Sequence, residues 1–412
     1  MFKKLLHNKI FLTASAFLVC IIFLNRCIQK DSDNKKEQSG FDQYNKYAGS
    51  EACKSCHQSI YESHLQTFHN QTSAIASGQI IKGNFEPGKN RFYFKPSLYV
   101  ASEKRDSGYF QVAYKDDAEK IARRFDFVIG SGKRGQTFLY WHDQYIFQLP
   151  LMYFTEYNEW TNSPGYSNKV EFNRPITARC LECHSTYFQQ QDDPTGKADE
   201  FSTTKFILSV GCEKCHGPAA EHVTYHQKNP AGKNAKYIVN PARLSREQNL
   251  DLCRSCHGGR LSKTKPSFSF LPGDKLSKYF NLDSAVTDLS EIDVHGNQYG
   301  MLSASKCFKN STMTCTSCHN AHVNESKNLL SFADKCITCH QSGNKIGCKL
   351  FDGTNENFLK TNCVDCHMPE QSSKTIMVLR EGQTIPTSAK MRSHFISVYE
   401  DVYKKIIEKN KK

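Results

Sequence analysis

Fourteen of the 18 cysteines in this chain fall into seven copies of one short pattern, Cys-x-x-Cys-His. Two thiols at this spacing lie close together on one turn of the chain, where each can form a thioether with one vinyl group of a single haem. The adjacent histidine can then place an imidazole nitrogen on the iron as its proximal ligand. In chain order the motifs, numbered 1 to 7, are Cys53/Cys56/His57, Cys180/Cys183/His184, Cys212/Cys215/His216, Cys253/Cys256/His257, Cys315/Cys318/His319, Cys336/Cys339/His340 and Cys363/Cys366/His367.

Zinc sites and disulfide frameworks are the other structures that cysteine pairs build. Neither requires a histidine directly after the second cysteine, whereas every motif in this chain has one. The sequence therefore predicts seven covalently attached haem c groups. The motif cysteines are the predicted attachment points and the motif histidines the predicted proximal iron ligands.

A sixth ligand decides whether each iron can only transfer electrons or can also bind a substrate. Nine histidines lie outside the motifs: His7, His64, His69, His142, His222, His226, His295, His322 and His394. His222 and His322 follow a proximal histidine too closely to reach the far side of the same haem, so they would reach a neighbouring one. His69, His295 and His394 come from segments with no motif cysteine beside them. These five are the predicted distal ligands.

The other non-motif histidines are weaker candidates. His7 lies in the predicted signal segment and His142 in a predicted hairpin turn. His64 and His226 each lie within five residues of a better candidate, so a surface or core position is favoured for both. One or two haems would then lack a second histidine. Met301 or Met313 could fill such a position, or it could stay open.

The first residues have the features of an export signal. Lys3, Lys4 and Lys9 precede an apolar run from Ile10 to Leu24, which is short for a membrane-spanning helix and typical of a signal peptide. Cys27 ends a relaxed lipoprotein cleavage box. A lipoprotein, a cleaved signal and an uncleaved anchor stay open as alternatives, and all three place the haems outside the cytoplasm.

Between motifs 1 and 2 the pattern changes from haem motifs to strands. Aromatic and β-branched runs alternate with Gly, Asp and Lys turns and predict an antiparallel sheet; the runs are Phe92–Phe94, Gly108–Tyr114, Phe125–Ile129, Thr137–Trp141 and Tyr145–Leu149. A docking module for a partner is compatible with this sheet, although a simple sheet core is favoured.

Six of the motifs occupy fewer than 200 residues near the C-terminal end, so haems wrapped in short helices and loops would form the core there. A last amphipathic helix is predicted over Phe395–Lys409. The predicted fold is mainly α, a haem-cored multihaem cytochrome with an inserted antiparallel β-rich subdomain. The predicted organisation is 1–27 signal or lipoprotein anchor, 28–46 polar linker, 47–89 first haem segment, 90–160 β-rich insert, 161–400 six-haem domain and 401–412 basic helix end.

The formal charge of +13 does not predict a nucleic-acid partner. Seven haems would add about fourteen propionate charges, which lysine and arginine side chains would balance. Two further cysteines, Cys307 and Cys348, lie among the late motifs. A disulfide between them and two free thiols are equally compatible with the sequence.

Four segments resemble one family of multihaem cytochromes, which contains the tetrahaem cytochrome of ammonia oxidisers, hydroxylamine oxidoreductase and pentahaem nitrite reductase. The segments are Tyr47–His69, Gly211–His222, His319–His322 and Cys363–Pro369. The resemblance covers most of Tyr47 to Tyr399 apart from the β-rich insert. It implies a mainly helical fold with haems stacked in a continuous wire. It also implies distal ligation by His69, His222, His295, His322 and His394.

The resemblance does not bring an enzyme activity with it. Pentahaem nitrite reductase replaces one motif histidine by lysine, whereas all seven motifs of this chain keep histidine. No tyrosine can be matched to the crosslinking tyrosine of hydroxylamine oxidoreductase.

Two functions follow from these patterns. The favoured one is an electron carrier that takes electrons from a quinol dehydrogenase or a periplasmic redox protein and passes them to another redox protein or a small inorganic acceptor. The alternative is an oxidoreductase that acts on a nitrogen or sulfur oxyanion, or on hydroxylamine, at one open haem. Both would work on the periplasmic or cell-surface side of a bacterial membrane, attached through the N-terminus.

Overall fold

The computed structural model describes residues 43–166, 168–191, 198–282, 291–325, 329–342, 345–350 and 354–410. The chain divides into two compact units, Met1–Asn45 and Lys46–Lys412, and the account below concerns the second. The predicted signal, Cys27 and most of the predicted linker lie outside the described residues. In the described part of the chain, no helix is long and apolar enough to cross a membrane.

Ten α-helices occur in the described residues: α1 Ser50–Leu65, α2 Ala178–His184, α3 Cys212–His216, α4 Ala220–Lys228, α5 Arg246–His257, α6 Gln298–Ala304, α7 Lys306–Lys309, α8 Leu329–His340, α9 Glu356–His367 and α10 Glu400–Asn410. The strands are β1 Ser73–Ile75, β2 Arg91–Lys95, β3 Leu98–Arg105, β4 Gly108–Lys115, β5 Ala118–Arg124, β6 Phe127–Ile129, β7 Gly135–His142, β8 Tyr145–Phe154, β9 Glu159–Asn162, β10 Arg174–Pro175, β11 Ser185–Gln191, β12 Glu200–Leu208, β13 Ser262–Lys263, β14 Phe280–Asn281, β15 Gln341–Ser342, β16 Lys345–Ile346, β17 Glu370–Val378 and β18 Thr387–Arg392.

The prediction of a mainly α fold is wrong. Of the described residues, 32 % are helical and 28 % are in strands, so the fold is mixed α and β. The β11–β12 and β17–β18 hairpins lie in the region that was predicted as short helices and loops around haems. The β11 and β12 sequences are rich in aromatic and β-branched residues, which favour a pleated surface, and the density of haem motifs hid that signal. The β17 and β18 sequences contain no aromatic residue, so the second strand pair lacks this signal.

The strands predicted between motifs 1 and 2 are present and form two antiparallel sheets. One sheet has the order β1-β6-β7-β8-β10, with β9 also paired to β8, and the other has the order β2-β3-β4-β5. Their apolar faces share one core, in which Phe92 and Val100 of the second sheet meet Phe138 and Leu149 of the first. The six-stranded sheet includes β1 and β10, so it is continuous with the segments that follow motif 1 and precede motif 2.

A buried amide joins the two sheets. The Gln111 side chain donates to the Leu151 carbonyl and accepts from the Leu151 amide, both at 2.8 Å. Because both polar groups of the amide are paired, Gln111 can be fully buried without the cost of an unsatisfied donor or acceptor.

The helices carry the motifs in a repeated way. Motifs 2, 3, 4, 6 and 7 lie in the last turn of α2, α3, α5, α8 and α9, and each of these helices ends at the motif histidine. Motif 1 lies inside α1, where His57 has non-helical angles of φ −123° and ψ 38° and bends the helix. Motif 5 begins in a short 3-10 turn, Cys315–Ser317. One turn of helix thus brings both thiols together, and the chain changes direction at the imidazole.

Local sequence explains two of these boundaries. Ser245 begins α5 with a capping box, in which its hydroxyl accepts from the Gln248 amide and the Gln248 side chain accepts from the Ser245 amide. Gly217 follows α3 with φ +83°, a backbone conformation that side chains with a Cβ rarely adopt. The C-terminal helix begins at Glu400, five residues after the predicted start.

The shared core of the two sheets predicts a large cost for truncating Phe138, which has no solvent exposure. We expect Phe138→Ala to lower the free energy of unfolding by about 3–5 kcal/mol, because it removes buried apolar surface and leaves a cavity. Urea titration followed by far-ultraviolet circular dichroism measures this change. Ile385→Ala, at a side chain that is 79 % exposed, is the control and should change the free energy by about 0.5 kcal/mol or less. Equal effects of the two substitutions would contradict this description of the core.

Candidate metal centres

Three motif histidines each face a histidine from a distant part of the chain. The ring centroids are 6.0 Å apart for His216 and His322. They are 6.2 Å apart for His319 and His394, and 6.1 Å apart for His69 and His257. A direct stack of two rings would be closer.

The common spacing fits one metal ion between two imidazoles. A metal lies about 2.0 Å from each imidazole nitrogen, and each ring centre lies roughly 1.1 Å beyond that nitrogen, so the two centres should be roughly 6 Å apart. These donor sets therefore fit an iron with one histidine on each face. His216, His257 and His319 would be the proximal ligands of motifs 3, 4 and 5, opposed by His322, His69 and His394.

Hydrogen bonds orient several of these rings. The Nδ1 atom of His216 lies 2.9 Å from the Val239 carbonyl, and that of His367 lies 2.8 Å from the Ser397 carbonyl. A ring that donates from Nδ1 keeps its Nε2 lone pair free for a metal. His222 has the same arrangement, with Nδ1 2.7 Å from the Lys236 carbonyl, so it too is oriented as a ligand.

The protein surroundings keep the candidate ligands neutral. Burial lowers the pKa of His64 and His394 to about 4, with a smaller effect from neighbouring imidazoles. Burial also lowers the pKa of the other histidines in this group; they are His69, His184, His295, His319 and His322. Neutral imidazole is the form that binds a metal, so the folded chain favours the ligand form at neutral pH.

Cysteines of different motifs lie side by side. Three pairs of thiols from different motifs are close enough to shift each other's pKa; they are Cys53 with Cys212, Cys183 with Cys256, and Cys253 with Cys315. These pairs relate motif 1 to 3, motif 2 to 4 and motif 4 to 5. Weaker electrostatic effects of the same kind relate motifs 3 and 4, 5 and 6, and 6 and 7; the pairs are Cys215 with Cys256, Cys318 with Cys336, and Cys336 with Cys363. The seven predicted attachment sites thus form one connected series.

Three of the predicted attachment cysteines lie at the surface of the protein chain: Cys56, Cys180 and Cys339 are exposed. At motifs 1 and 6 the other cysteine, Cys53 or Cys336, is half-buried. Side chains three residues apart on a helix point about 60° apart, so one thiol of a motif can pack against the protein while the other faces solvent. As attachment points, Cys56, Cys180 and Cys339 stay predictions.

Two buried carboxylates inside the motifs hold them in place. Glu213, between the cysteines of motif 3, accepts hydrogen bonds from the amides of Ala48, Gly49 and Ala219 at 2.8–2.9 Å, so it fixes the start of α1 and hence motif 1. Glu182 of motif 2 accepts from the Phe268 amide at 2.6 Å and pairs with Lys263. The sequence analysis missed both residues. The only sequence feature that could have indicated their role is an acidic residue between the two cysteines of the motif.

The remaining predicted ligands take different positions. His295 lies within electrostatic range of His184 and His257. The His222 ring lies 4.7 Å from that of His226. His64 is buried beside His69, His216 and His322, whereas His142 is exposed at the β7–β8 turn. As iron ligands, all these residues stay predictions.

Sulfur ligands were the other possibility. Met301 is buried, and its sulfur accepts a hydrogen bond from the Ser393 hydroxyl at 3.6 Å, which is the environment of a core residue. Met313 is half-buried. Cys307 and Cys348 are free thiols, each within electrostatic range of motif cysteines.

His57, His184, His340 and His367 have no histidine partner at the 6 Å spacing in the part of the chain that the structure describes. The residues left undescribed between 43 and 410 contain no histidine, methionine or cysteine. Motifs 1, 2, 6 and 7 therefore differ from motifs 3, 4 and 5, which have an opposing histidine.

Comparisons with known proteins agree with this chemistry. Residues 152–217, which include motifs 2 and 3, match the family described as cytochrome c554 and c-prime. The fold is similar to that of the outer cell wall cytochrome OcwA, with a TM-score of 0.54 and 17 % identity over 89 % of this chain and 82 % of that chain. No curated protein matches the chain.

The family match, the fold and the motifs support one conclusion. The chain is a multihaem c-type cytochrome. This class binds haem covalently and transfers electrons. The family match covers only motifs 2 and 3 of the cytochrome, so the other sites rest on the motif pattern and on the histidine geometry.

The pairing of His216 with His322 can be tested in the haem-loaded cytochrome. We expect His322→Ala to convert one low-spin ferric haem to a high-spin one, because the iron loses its second strong-field nitrogen ligand. Low-temperature electron paramagnetic resonance measures the change. His142→Ala, at an exposed turn, is the control and should leave the spectrum as in the wild type. An unchanged spectrum for His322→Ala would refute the pairing.

Proposed function

We propose that the protein binds seven haem c groups and relays electrons among them in an extracytoplasmic respiratory chain. The connected series of motif thiols carries this proposal. It runs from motif 1 through 3, 4, 5 and 6 to 7, with motif 2 joined at motif 4. Electron tunnelling slows steeply with distance, so adjacent attachment sites are what a relay requires.

Each haem would supply an iron that accepts and releases one electron. The residues of the chain would hold that iron with a fixed ligand set. At motifs 3, 4 and 5, two imidazoles from distant segments of the chain would hold the iron. With the same two ligands in both oxidation states, little structure would have to rearrange when an electron arrives.

The same ligand pairs connect distant motifs. His69 follows motif 1 and faces motif 4, His322 follows motif 5 and faces motif 3, and His394 follows motif 7 and faces motif 5. Loading one haem would therefore order a second part of the chain. A relay benefits when one iron binds ligands from two distant segments, since the haems themselves then set the spacing between neighbouring sites.

The cellular setting is part of the proposal. Thioether attachment and a signal-like N-terminus favour the periplasmic or cell-surface side of a bacterial membrane, with attachment through the first residues. A quinol dehydrogenase or a periplasmic redox protein would donate the electrons. Another redox protein or a small inorganic species would accept them.

A second function is favoured by one specific observation. His57, His184, His340 and His367 have no histidine partner at the 6 Å spacing in the described part of the chain, so motifs 1, 2, 6 and 7 offer positions where a small ligand could reach the iron. Such a position would allow reduction of a nitrogen or sulfur oxyanion, or conversion of hydroxylamine. Membership of the wider group that contains hydroxylamine oxidoreductase and nitrite reductase stays a prediction.

The haem count tests the first proposal. We expect intact-mass measurement and pyridine haemochrome analysis to give seven haems in the wild type and six in the Cys363→Ala, Cys366→Ala double variant, because that change removes one attachment site. The Cys307→Ala, Cys348→Ala double variant is matched in residue type and should keep seven. A wild-type count below seven would contradict the proposal, as would a loss in the control.

Carbon monoxide tests the second function, because it binds ferrous haem only where a coordination position is open. We expect binding to the dithionite-reduced wild type at up to the number of haems without a histidine pair, measured by the Soret difference spectrum. If no carbon monoxide binds to the reduced protein, the substrate-binding function is excluded and the relay alone remains.

A further inference from the structure

Among the four proximal histidines whose Nδ1 atom faces a named partner, one has a partner of a different kind. The Nδ1 atoms of His216 and His367 face backbone carbonyls, and that of His257 lies 3.1 Å from the side-chain oxygen of Gln298. The Nδ1 atom of His319 instead lies 3.6 Å from an oxygen of the Glu325 carboxylate. Three partners are therefore neutral, and the fourth is a carboxyl group.

The surroundings of Glu325 fix this carboxyl group and keep it ionised. Its Oε2 atom, which faces His319, also accepts from the Asn320 amide at 2.9 Å. Its Oε1 atom accepts from the Lys335 ammonium at 3.0 Å, and the same ammonium donates to the Cys318 carbonyl. The Glu325 side chain is only 17 % exposed, so water screens its charge weakly.

We propose that Glu325 is a positioning residue that lowers the reduction potential of the haem of motif 5 below that of the haem of motif 4. This inference rests on the proposed function, because it requires His319 and His394 to be the ligands of that iron. The Glu325 carboxylate lies 3.6 Å from Nδ1, too far to accept a hydrogen bond from it. Its negative charge beside the imidazole would stabilise the ferric iron relative to the ferrous iron. Lys335 offsets part of this charge, from the oxygen farther from the ring.

The position of motif 5 in the series determines how a lower reduction potential at its haem would affect electron transfer. Motif 5 lies between motifs 4 and 6 in the connected series of thiols. If the haem of motif 5 has a low reduction potential, electron transfer onto it from either neighbouring haem is thermodynamically unfavourable. Electrons would then collect on motifs 1 to 4 or on motifs 6 and 7, and the haem of motif 5 would be among the last to become reduced.

Two near-isosteric substitutions test the proposal in opposite directions. In Glu325→Gln the neutral amide should make the haem of motif 5 easier to reduce by about tenfold in its reduction equilibrium, which is about 59 mV for one electron. In Gln298→Glu the new carboxylate beside His257 should make the haem of motif 4 harder to reduce by a similar factor. Spectroelectrochemical titration of the haem-loaded full chain measures both, and one low-spin ferric resonance signal should shift in each variant.

Glu356→Gln is the matched control. Glu356 is a carboxylate on α9 that pairs with Lys360 and contacts no motif histidine, so this change removes the same formal charge. It should leave every potential and every resonance signal unchanged. If Glu325→Gln shifts no potential or signal, or shifts them no more than Glu356→Gln does, the proposal is overturned.

Failure of the proposed function would look different from failure of this inference. If His394 is not a ligand of any iron, His394→Ala will leave all low-spin signals intact, whatever the Glu325 variant does. If His319 and His394 are the ligands of one iron and only the inference is wrong, His394→Ala will remove one signal while Glu325→Gln changes nothing. Haem content measured on every variant separates either outcome from loss of folding.

Discussion

The structure depends on one distance, the spacing of roughly 6 Å that a metal requires between two opposing imidazoles. Three pairs keep it, and each pair joins segments that are far apart in the chain: His69 with His257, His216 with His322, and His319 with His394. A motif alone fixes only one face of its haem. The second face is supplied by the fold, so the helices, the hairpins and the C-terminal segment must be in place before any of these sites is complete.

The sheets and the motif-bearing helices are held in place by different kinds of interaction. The two sheets after motif 1 bury an ordinary aromatic core around Phe138 and need no cofactor to explain their packing. The helices that carry the motifs are short and bury few side chains of their own. Their positions are set by polar contacts, such as the three backbone amides that Glu213 binds and the interactions of Glu182. A stable sheet scaffold therefore carries weakly packed helices that the haems would complete.

Local features of this protein could be predicted from its sequence, whereas features that depend on the tertiary structure could not. The Cys-x-x-Cys-His pattern is local, so attachment sites and proximal ligands can be assigned without a fold, and the strands Gly108–Lys115 and Tyr145–Phe154 follow from aromatic and β-branched runs. How far each motif is buried is a tertiary property, as the exposed Cys56 and Cys339 demonstrate.

Distal ligation also depends on the tertiary structure. His322 and His394 were proposed as ligands, but which motif each faces is visible only in the fold. The mainly α prediction failed because the strand pairs β11–β12 and β17–β18 begin one and three residues after a motif histidine, where haem motifs dominate the pattern. The proposed role of Glu325 could not be predicted from the sequence. His319 and Glu325 come close only because of the shape of the turn between them, and no sequence motif specifies that shape.

The most direct test of the account is a crystal structure of the haem-loaded protein, read for the ligands on each iron. The account predicts one iron between His216 and His322, one between His257 and His69, and one between His319 and His394, with the seven haems in a continuous series from motif 1 to motif 7. Different residues on the distal faces of these three irons, or haems that are separated into unconnected groups, would contradict it.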